Sequence, residues 1–208
     1  GVGLVGSEMC IRDSDTTASG SLEIPSVYNG LPVTSIGNDA FRDCYDLTYI
    51  TIPNSITSIG MSALQNCRSL TSITIPDSVT SVGGYAFNGC HSLVSVTIPD
   101  GVTSIGIQAF RDCRSLTGIT ILDTVTSIGN YAFSGCNSLA SITIPDSVTS
   151  IGAGAFHSCS SLTSIIIPDS VTGSLGGSTF ESCTALTSIS ISNNMTSIEA
   201  WAFYNSCL

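Results

Sequence analysis

The sequence predicts a repeat solenoid of α/β type, with a parallel β-sheet along one side and short helical turns along the other. Three observations predict it. Leu47, Leu70, Leu93, Leu116, Leu139 and Leu162 recur every 23 residues, and Leu186 follows after 24. Cys44, Cys67, Cys90, Cys113, Cys136 and Cys159 keep the same period, followed by Cys183 and Cys207. Between them, most units run from β-branched alternation through a proline turn to an Ala-Phe pair. One such unit cannot enclose a core, but stacked units can, each apolar side chain meeting its copy in the neighbouring coil.

The unit starting at Leu70 shows why each element forms. Thr71 to Ile75 places β-branched residues alternately in and out, a short strand that Pro76 ends. Pro76-Asp77-Ser78 is a turn, because proline fixes φ and Asp can bond the backbone two residues on. Val79 and Val82 point inward as the chain bends. Gly83 permits either an unusual φ or a close approach, and Glu199 in its place in the last unit shows that positive φ is not required there. Ala86, Phe87 and Cys90 have helix-like spacing for one or two turns. Phe41, Phe87, Phe110, Phe133, Phe156, Phe180 and Phe203 then form a buried aromatic spine, with Leu64 substituting once. Strands stacked at about 4.8 Å give a rod on the order of 35–40 Å long. A longer first unit begins near Leu22 and carries the inserted turn Tyr28-Asn29-Gly30-Leu31-Pro32; a one-residue insertion sits around Gly173.

Residues 1–14 stand apart. Leu4 to Ser14 resembles nothing else in the chain and is similar to the translation of a transposase-type sequencing adapter, so it is set aside as a non-native segment. The domain boundary expected is therefore 15–208, a single solenoid of about eight units. It runs to Leu208 without a polar capping unit, which reads as truncation at both ends.

Composition narrows the function. The net charge is -10, there is no Lys, and the five basic residues are Arg12, Arg42, Arg68, Arg111 and Arg114. Nucleic-acid and anionic-membrane partners both need a basic surface and are not expected. No apolar run approaches the roughly 18 residues of a bilayer span. Only His91 and His157 are available for histidine chemistry, and they occupy different positions in their units. Ser and Asp are abundant through repetition, so a Ser-His-Asp grouping carries no weight without geometry.

The pattern Leu-x-x-Ile-x-Ile-Pro-x-x-Val-x-x-Ile-Gly-x-x-Ala-Phe-x-x-Cys, over about residues 21 to 208, resembles the BspA-like (treponemal-type) leucine-rich repeats. Departures are Leu122 and Ser192 for Pro, Leu64 for Phe and Thr179 for Ala. The resemblance implies a right-handed superhelix with its sheet on the concave side. It also implies a non-catalytic protein-binding or adhesion module of a secreted or cell-surface protein. The expected partner is a protein, such as a host or neighbouring-cell surface protein, with no cofactor and no membrane insertion. The alternatives are a structural spacer that projects another domain, or an intracellular scaffold.

Three rows are candidates for chemistry. The cysteines read as a ladder of buried thiols, beside disulfides between coils and metal ligation as lesser readings. Asp77, Asp100, Asp123, Asp146 and Asp169 stack at one position; they read as turn residues that also attract divalent cations weakly. The outward strand face carries Tyr49, Ser72, Ser95, Gly118, Ser141, Ser164 and Ser188 in one row and Thr51, Thr74, Thr97, Thr120, Thr143, Ile166 and Ser190 in the next. Tyr49, Thr51, Ser72, Thr74, Ser95, Thr97, Thr120, Ser141, Thr143 and Ser164 are the expected partner-binding residues if the sheet binds. The row is small and polar, so a solvated scaffold face is the bland reading, and a regular Thr array for ice binding is a remote third. Asn194-Met195-Thr196 is a glycosylation sequon if the chain passes through a eukaryotic secretory pathway.

Overall fold

The computed structural model describes residues 19–208 and, for the backbone alone, the strands Val2–Val5 and Glu8–Ile11. Of the segment set apart above, the backbone of these two strands is described and the remaining residues lie outside the described residues. Its two strands pair antiparallel, and Glu8–Ile11 runs parallel to Leu31–Ile36.

The remainder is a β-solenoid of eight coils. Counted from each leading Leu, they span residues 22–46, 47–69, 70–92, 93–115, 116–138, 139–161, 162–185 and 186–208. The strand expected after each Leu is present in most coils. Gly20–Glu23, Leu47–Thr51, Ser72–Ile73, Ser95–Thr97 and Gly118–Thr120 form a parallel sheet, and Ser164–Ile166 pairs with Ser188–Ser190 further on. The register equals the repeat: Ser95 faces Gly118, and Val96 faces Ile119.

A second sheet was not foreseen. After the Pro-Asp turn, the Val-Thr-Ser-Ile segment is itself a strand and not merely a bend. Leu31–Ile36, Ser58–Ile59 and Ser81–Val82 pair in parallel, as do Ser104–Ile105, Ser127–Ile128 and Ser150–Ile151. Gly173–Leu175 pairs with Met195–Ile198. The extra residue near Gly173 is absorbed there as a register shift, with Gly173 at φ 90°.

The helical turns expected on the remaining side are a correction, because no helix occurs among the described residues. Local i to i+3 bonds do form: Arg42 N–H to Asp39 O, and Cys44 N–H to Phe41 O. The alternate N–H groups of Asp39, Phe41 and Asp43 instead donate to Met61, Ala63 and Gln65 of the next coil. Two residues per coil adopt positive φ to permit this, such as Tyr85 and Gly89 or Tyr131 and Gly135. Coil-to-coil bonding therefore competes with the helical ladder and wins, while the Ala-Phe-x-x-Cys spacing is kept.

The core is the predicted one. Leu70, Val79, Phe87 and Cys90 and their copies in the inner coils are buried, whereas at the ends Leu22 and Phe203 are only partly buried and Cys207 is exposed, a departure from the expected spine and thiol ladder. Phe87, Phe110, Phe133, Phe156, Phe180 and Phe203 stack with centroids 5.3–5.7 Å apart and planes within 10°. Leu64 interrupts the column between Phe41 and Phe87.

The repeat glycine serves close approach and not conformation. Gly83 lies outside the positive-φ region, and a Cβ there would stand 2.5 Å from the Met61 nitrogen and 2.6 Å from the Gly60 carbonyl carbon. Gly118 on the first sheet has nothing within 4 Å of its Cβ direction. Gly83→Ala should therefore destabilise by about 1–3 kcal/mol, through enforced separation of coils. Gly118→Ala should stabilise by about 0.5–1 kcal/mol, through lost unfolded-state entropy. Urea midpoints of the two variants check this, and two shifts of the same sign would contradict it.

Candidate functional site

The ten candidate residues all project from the first sheet or its continuation, and all are exposed. Tyr49 and Thr51 lie on Leu47–Thr51; Ser72, Ser95, Thr97, Thr120 and Ser164 lie on their own strands. Thr74, Ser141 and Thr143 occupy the same positions in chain without strand pairing. The structure thus assembles them as the two parallel rows expected.

Their hydroxyls differ from those of several neighbouring Thr and Ser rows. On the second sheet, Thr57, Thr80, Thr126 and Thr149 donate to the carbonyl of the equivalent Thr one coil earlier, at 3.1–3.3 Å. At the corner, Ser78, Ser147 and Ser170 donate to Ile56, Val125 and Val148 carbonyls at 2.6–2.7 Å. Among the described residues, Ser72, Thr74, Ser95, Thr97, Thr120, Ser141, Thr143 and Ser164 make no such side-chain bond. Their hydroxyls point to solvent and remain open to a ligand.

The face is not flat. Coil 6 contributes no first-sheet strand, so pairing lapses between Thr120 and Ser164. A hollow of about 320 Å³ opens there over Thr97, Gly118, Thr120, Ser141 and Thr143. A second, of about 300 Å³, lies over Thr143, Ser164 and Ile166. Gly118 deepens the first by lacking a side chain where its neighbours have Ser. Ile166 stands in the Thr row of the second and is 69% exposed, the largest apolar surface on this face. Sequence reasoning placed both residues in the rows but not in the site. The signal was there in the two departures from the Ser and Thr pattern.

The other rows resolve differently. The seven cysteines from Cys44 to Cys183 are buried, and among the described residues no disulfide joins them. Cys67, Cys90, Cys113, Cys136, Cys159 and Cys183 donate Sγ–H to a carbonyl of the previous coil at 3.1–3.2 Å. Burial pushes Cys90 up to about 12 and Cys183 up to about 11, in each case against the lowering effect of a backbone hydrogen bond. The same burial raises Cys113 and Cys159 well above the thiol range. Such thiols are neither nucleophiles nor ligands at neutral pH. The five Asp of the acid row are exposed at the corner turns. Among the described residues no group of three or more His, Cys, Asp or Glu is arranged to hold a metal ion, which leaves weak cation attraction without a structural site.

Ser134 and His157 come together without forming a nucleophile–base pair among the described residues. Ser134 Oγ lies 3.4 Å from Nδ1 of His157, and Glu181 takes the equivalent position one coil on. Ser134 is buried, however, and among the described residues no ion pair joins Glu181 to His157. A nucleophile needs access and an oriented base, and Ser134 has neither.

Residues 19–125 and 103–208 match the family model described as BspA type leucine rich repeat region. A solved leucine-rich repeat protein of Treponema pallidum (TpLRR) is 28% identical, with a TM-score of 0.62 over 99% of this chain and 85% of that one. A leucine rich cell surface protein of Faecalibacterium prausnitzii is also 28% identical, with a TM-score of 0.55 over 94% of this chain and 77% of that one. No curated protein matches the chain.

Proposed function

The chain belongs to the BspA-type leucine-rich repeat family, and from that premise we propose that it is a non-catalytic protein-binding or adhesion module of a secreted or cell-surface protein. The family is a repeat scaffold, generally without catalysis and typically used for protein interaction. The F. prausnitzii relative, similar along most of both chains, is described as a cell surface protein. No helix among the described residues is long and apolar enough to cross a membrane.

The observation that carries the reading is the pair of hollows on the first sheet, bordered by two rows of unengaged hydroxyls. Thr48, Thr71, Thr117 and Thr163 at the start of the first-sheet segments donate to the previous coil, as the corner Ser and the Thr beside the second sheet do; Ser72, Thr74, Ser95, Thr97, Thr120, Ser141, Thr143 and Ser164 do not. A partner laid across that face meets donors and acceptors at a regular spacing, and each such bond contributes about 0.5–1.5 kcal/mol. The two hollows and Ile166 supply the apolar contact that a purely hydroxyl face lacks. Binding is thus centred on the Gly118–Ser141–Thr143–Ile166 region, with Tyr49 and Thr51 at its far end.

The test uses the full chain on a panel of immobilised extracellular-matrix and cell-surface proteins, with surface plasmon resonance as readout. Thr120→Arg with Thr143→Arg should weaken binding by about tenfold or more, because both fill the hollows with unmatched charge. Thr103→Arg with Thr126→Arg on the second sheet should leave it within about twofold. Equal losses for both pairs would sink the first-sheet assignment, and no binding to any protein would favour a spacer.

A further inference from the structure

The four arginines among the described residues, Arg42, Arg68, Arg111 and Arg114, all lie on the turn side of the first four coils, and His91 lies with them. Asp39, Asp43, Asp46 and Asp112 lie on the same turns, so the basic character is confined to one row of them. Arg68, His91 and Arg114 moreover occupy one position in three successive coils. A Ser of the next coil fixes each in the row: Ser92 N–H donates to Arg68 O, Ser115 N–H to His91 O and Ser138 N–H to Arg114 O, at 3.1–3.2 Å. We propose that this row binds an extended acidic polysaccharide along the solenoid axis.

The first argument is electrostatic availability. Arg42 is held between Asp39 at 3.2 Å and Asp43 at 3.7 Å. Arg68 makes no ion pair among the described residues; its guanidinium sits 4.8 Å above the Tyr45 ring. Arg114 reaches only Asp112, at 3.7 Å with both side chains largely exposed, a contact worth little in water. Both guanidiniums therefore keep donors for a sulfate or carboxylate. The five stacked Asp stand at the opposite end of each first-sheet strand, roughly 20 Å away at about 3.3 Å per residue. That exceeds the Debye length of about 8 Å at physiological salt, so the acid row does not cancel the basic one.

The second argument is spacing. The row repeats at one coil, about 4.8 Å. An extended peptide carries same-face side chains about 6.7 Å apart and falls out of register. A polyproline-II peptide repeats at about 9.3 Å, meeting Arg68 and Arg114 while passing His91 by. One pyranose ring of an extended glycan advances by close to one coil. The neighbouring hydroxyls of Ser69, Ser92 and Ser115 make no side-chain bond within the described residues, and they suit ring hydroxyls between the anionic groups.

His91 adds a signature. Burial, with Arg114 and Arg68 beside it and Asp112 opposing them, holds its imidazole below the usual range. An anion docked on the row raises it. Binding then takes up a proton, so affinity rises as pH falls through the imidazole range.

The experiment is fluorescence anisotropy of the full chain with a labelled, size-defined heparin oligosaccharide at low ionic strength. The double variant Arg68→Gln, Arg114→Gln should weaken binding about tenfold and flatten its salt dependence. Arg42→Gln should leave it within about twofold. Binding by the unaltered chain should tighten between about pH 7.5 and pH 5, and His91→Gln should abolish that tightening. Matching melting temperatures would show that the variants remain folded. No oligosaccharide binding, or binding indifferent to the double variant, overturns the proposal. So does a polyglutamate peptide that binds more tightly than the oligosaccharide with the same dependence on Arg68 and Arg114, since the row is then a peptide site.

Discussion

The array should unfold cooperatively as pH is raised through about 9 to 10.5, well before arginine titrates. Burial raises the thiols of Cys67, Cys90, Cys113, Cys136, Cys159 and Cys183 above their ordinary range, Cys183 to about 11 and Cys90 to about 12. In the unfolded chain the same thiols ionise near 8.5. A raised folded-state value means that the folded protein holds protons which the unfolded chain has lost. The contribution is complete below about pH 8.5 and declines as pH rises toward the folded values. Each thiol changes stability by about 1.4 kcal/mol per pH unit in that window, so six together approach roughly 8 kcal/mol per unit. Against a typical total of about 5–15 kcal/mol, little more than one unit suffices. Urea titrations at pH 8 and pH 9.5 would read the slope directly, and Cys113→Ala should reduce it by about 1.4 kcal/mol per unit. Equal stability at the two pH values would show that the thiols ionise in place.

That prediction depends on features whose legibility in the sequence differed. The 23-residue period placed the Leu, Phe and Cys of the core correctly except in the last coil, where Phe203 and Cys207 have no following copy to cover them, because in a stacked array each position meets only its own copies. The same periodicity said nothing about backbone direction within the turn side. Ala86, Phe87 and Cys90 fall at helical spacing whether the N–H groups bond locally or across coils. The choice is made by Tyr85 and Gly89 at positive φ, and Tyr85 is not a residue from which a left-handed conformation is read. The second sheet escaped for a related reason. Its strands are two residues long in most coils, such as Ser81–Val82, too short for alternation to register.

The candidate face shows the complementary limit. Outward rows follow from strand alternation, so Ser72 through Ser164 were found as a set. Which of them have free hydroxyls depends on whether a carbonyl of the previous coil lies within reach, and Thr57 and Thr74 cannot be told apart on that score by residue type. The hollow over Gly118 and Thr143 arises from a lapse of pairing in coil 6, whose sequence Ser141-Ile142-Thr143 scarcely differs from its neighbours. The proposed site rests on irregularity in a regular array, which the repeat itself conceals.

Removal of one central ring should cost more than removal of a terminal one, although the sequence positions are equivalent. Phe133 is fully buried and stacks on Phe110 at 5.7 Å and Phe156 at 5.6 Å. Phe133→Ala loses about 3–5 kcal/mol to transfer and cavity terms, together with two ring contacts of about 0.5–1.5 kcal/mol each. Phe203 is only partly buried and stacks on one side, so Phe203→Ala should cost less than half as much. The location of the defect matters as well. Nearest-neighbour coupling carries cooperativity along the coils, so a void in coil 5 separates coils 1–4 from coils 6–8. Denaturation of Phe133→Ala should show a broadened or two-step transition, whereas Phe203→Ala frays one end. Leu64 sets the control, since an aliphatic side chain already stands in the column, fully buried. If filled volume governs, Phe133→Leu should cost only about 1–1.5 kcal/mol and keep a single transition. If it matches Phe133→Ala instead, ring stacking and not volume holds the column together, and coil 2 must be the weakest junction in the array.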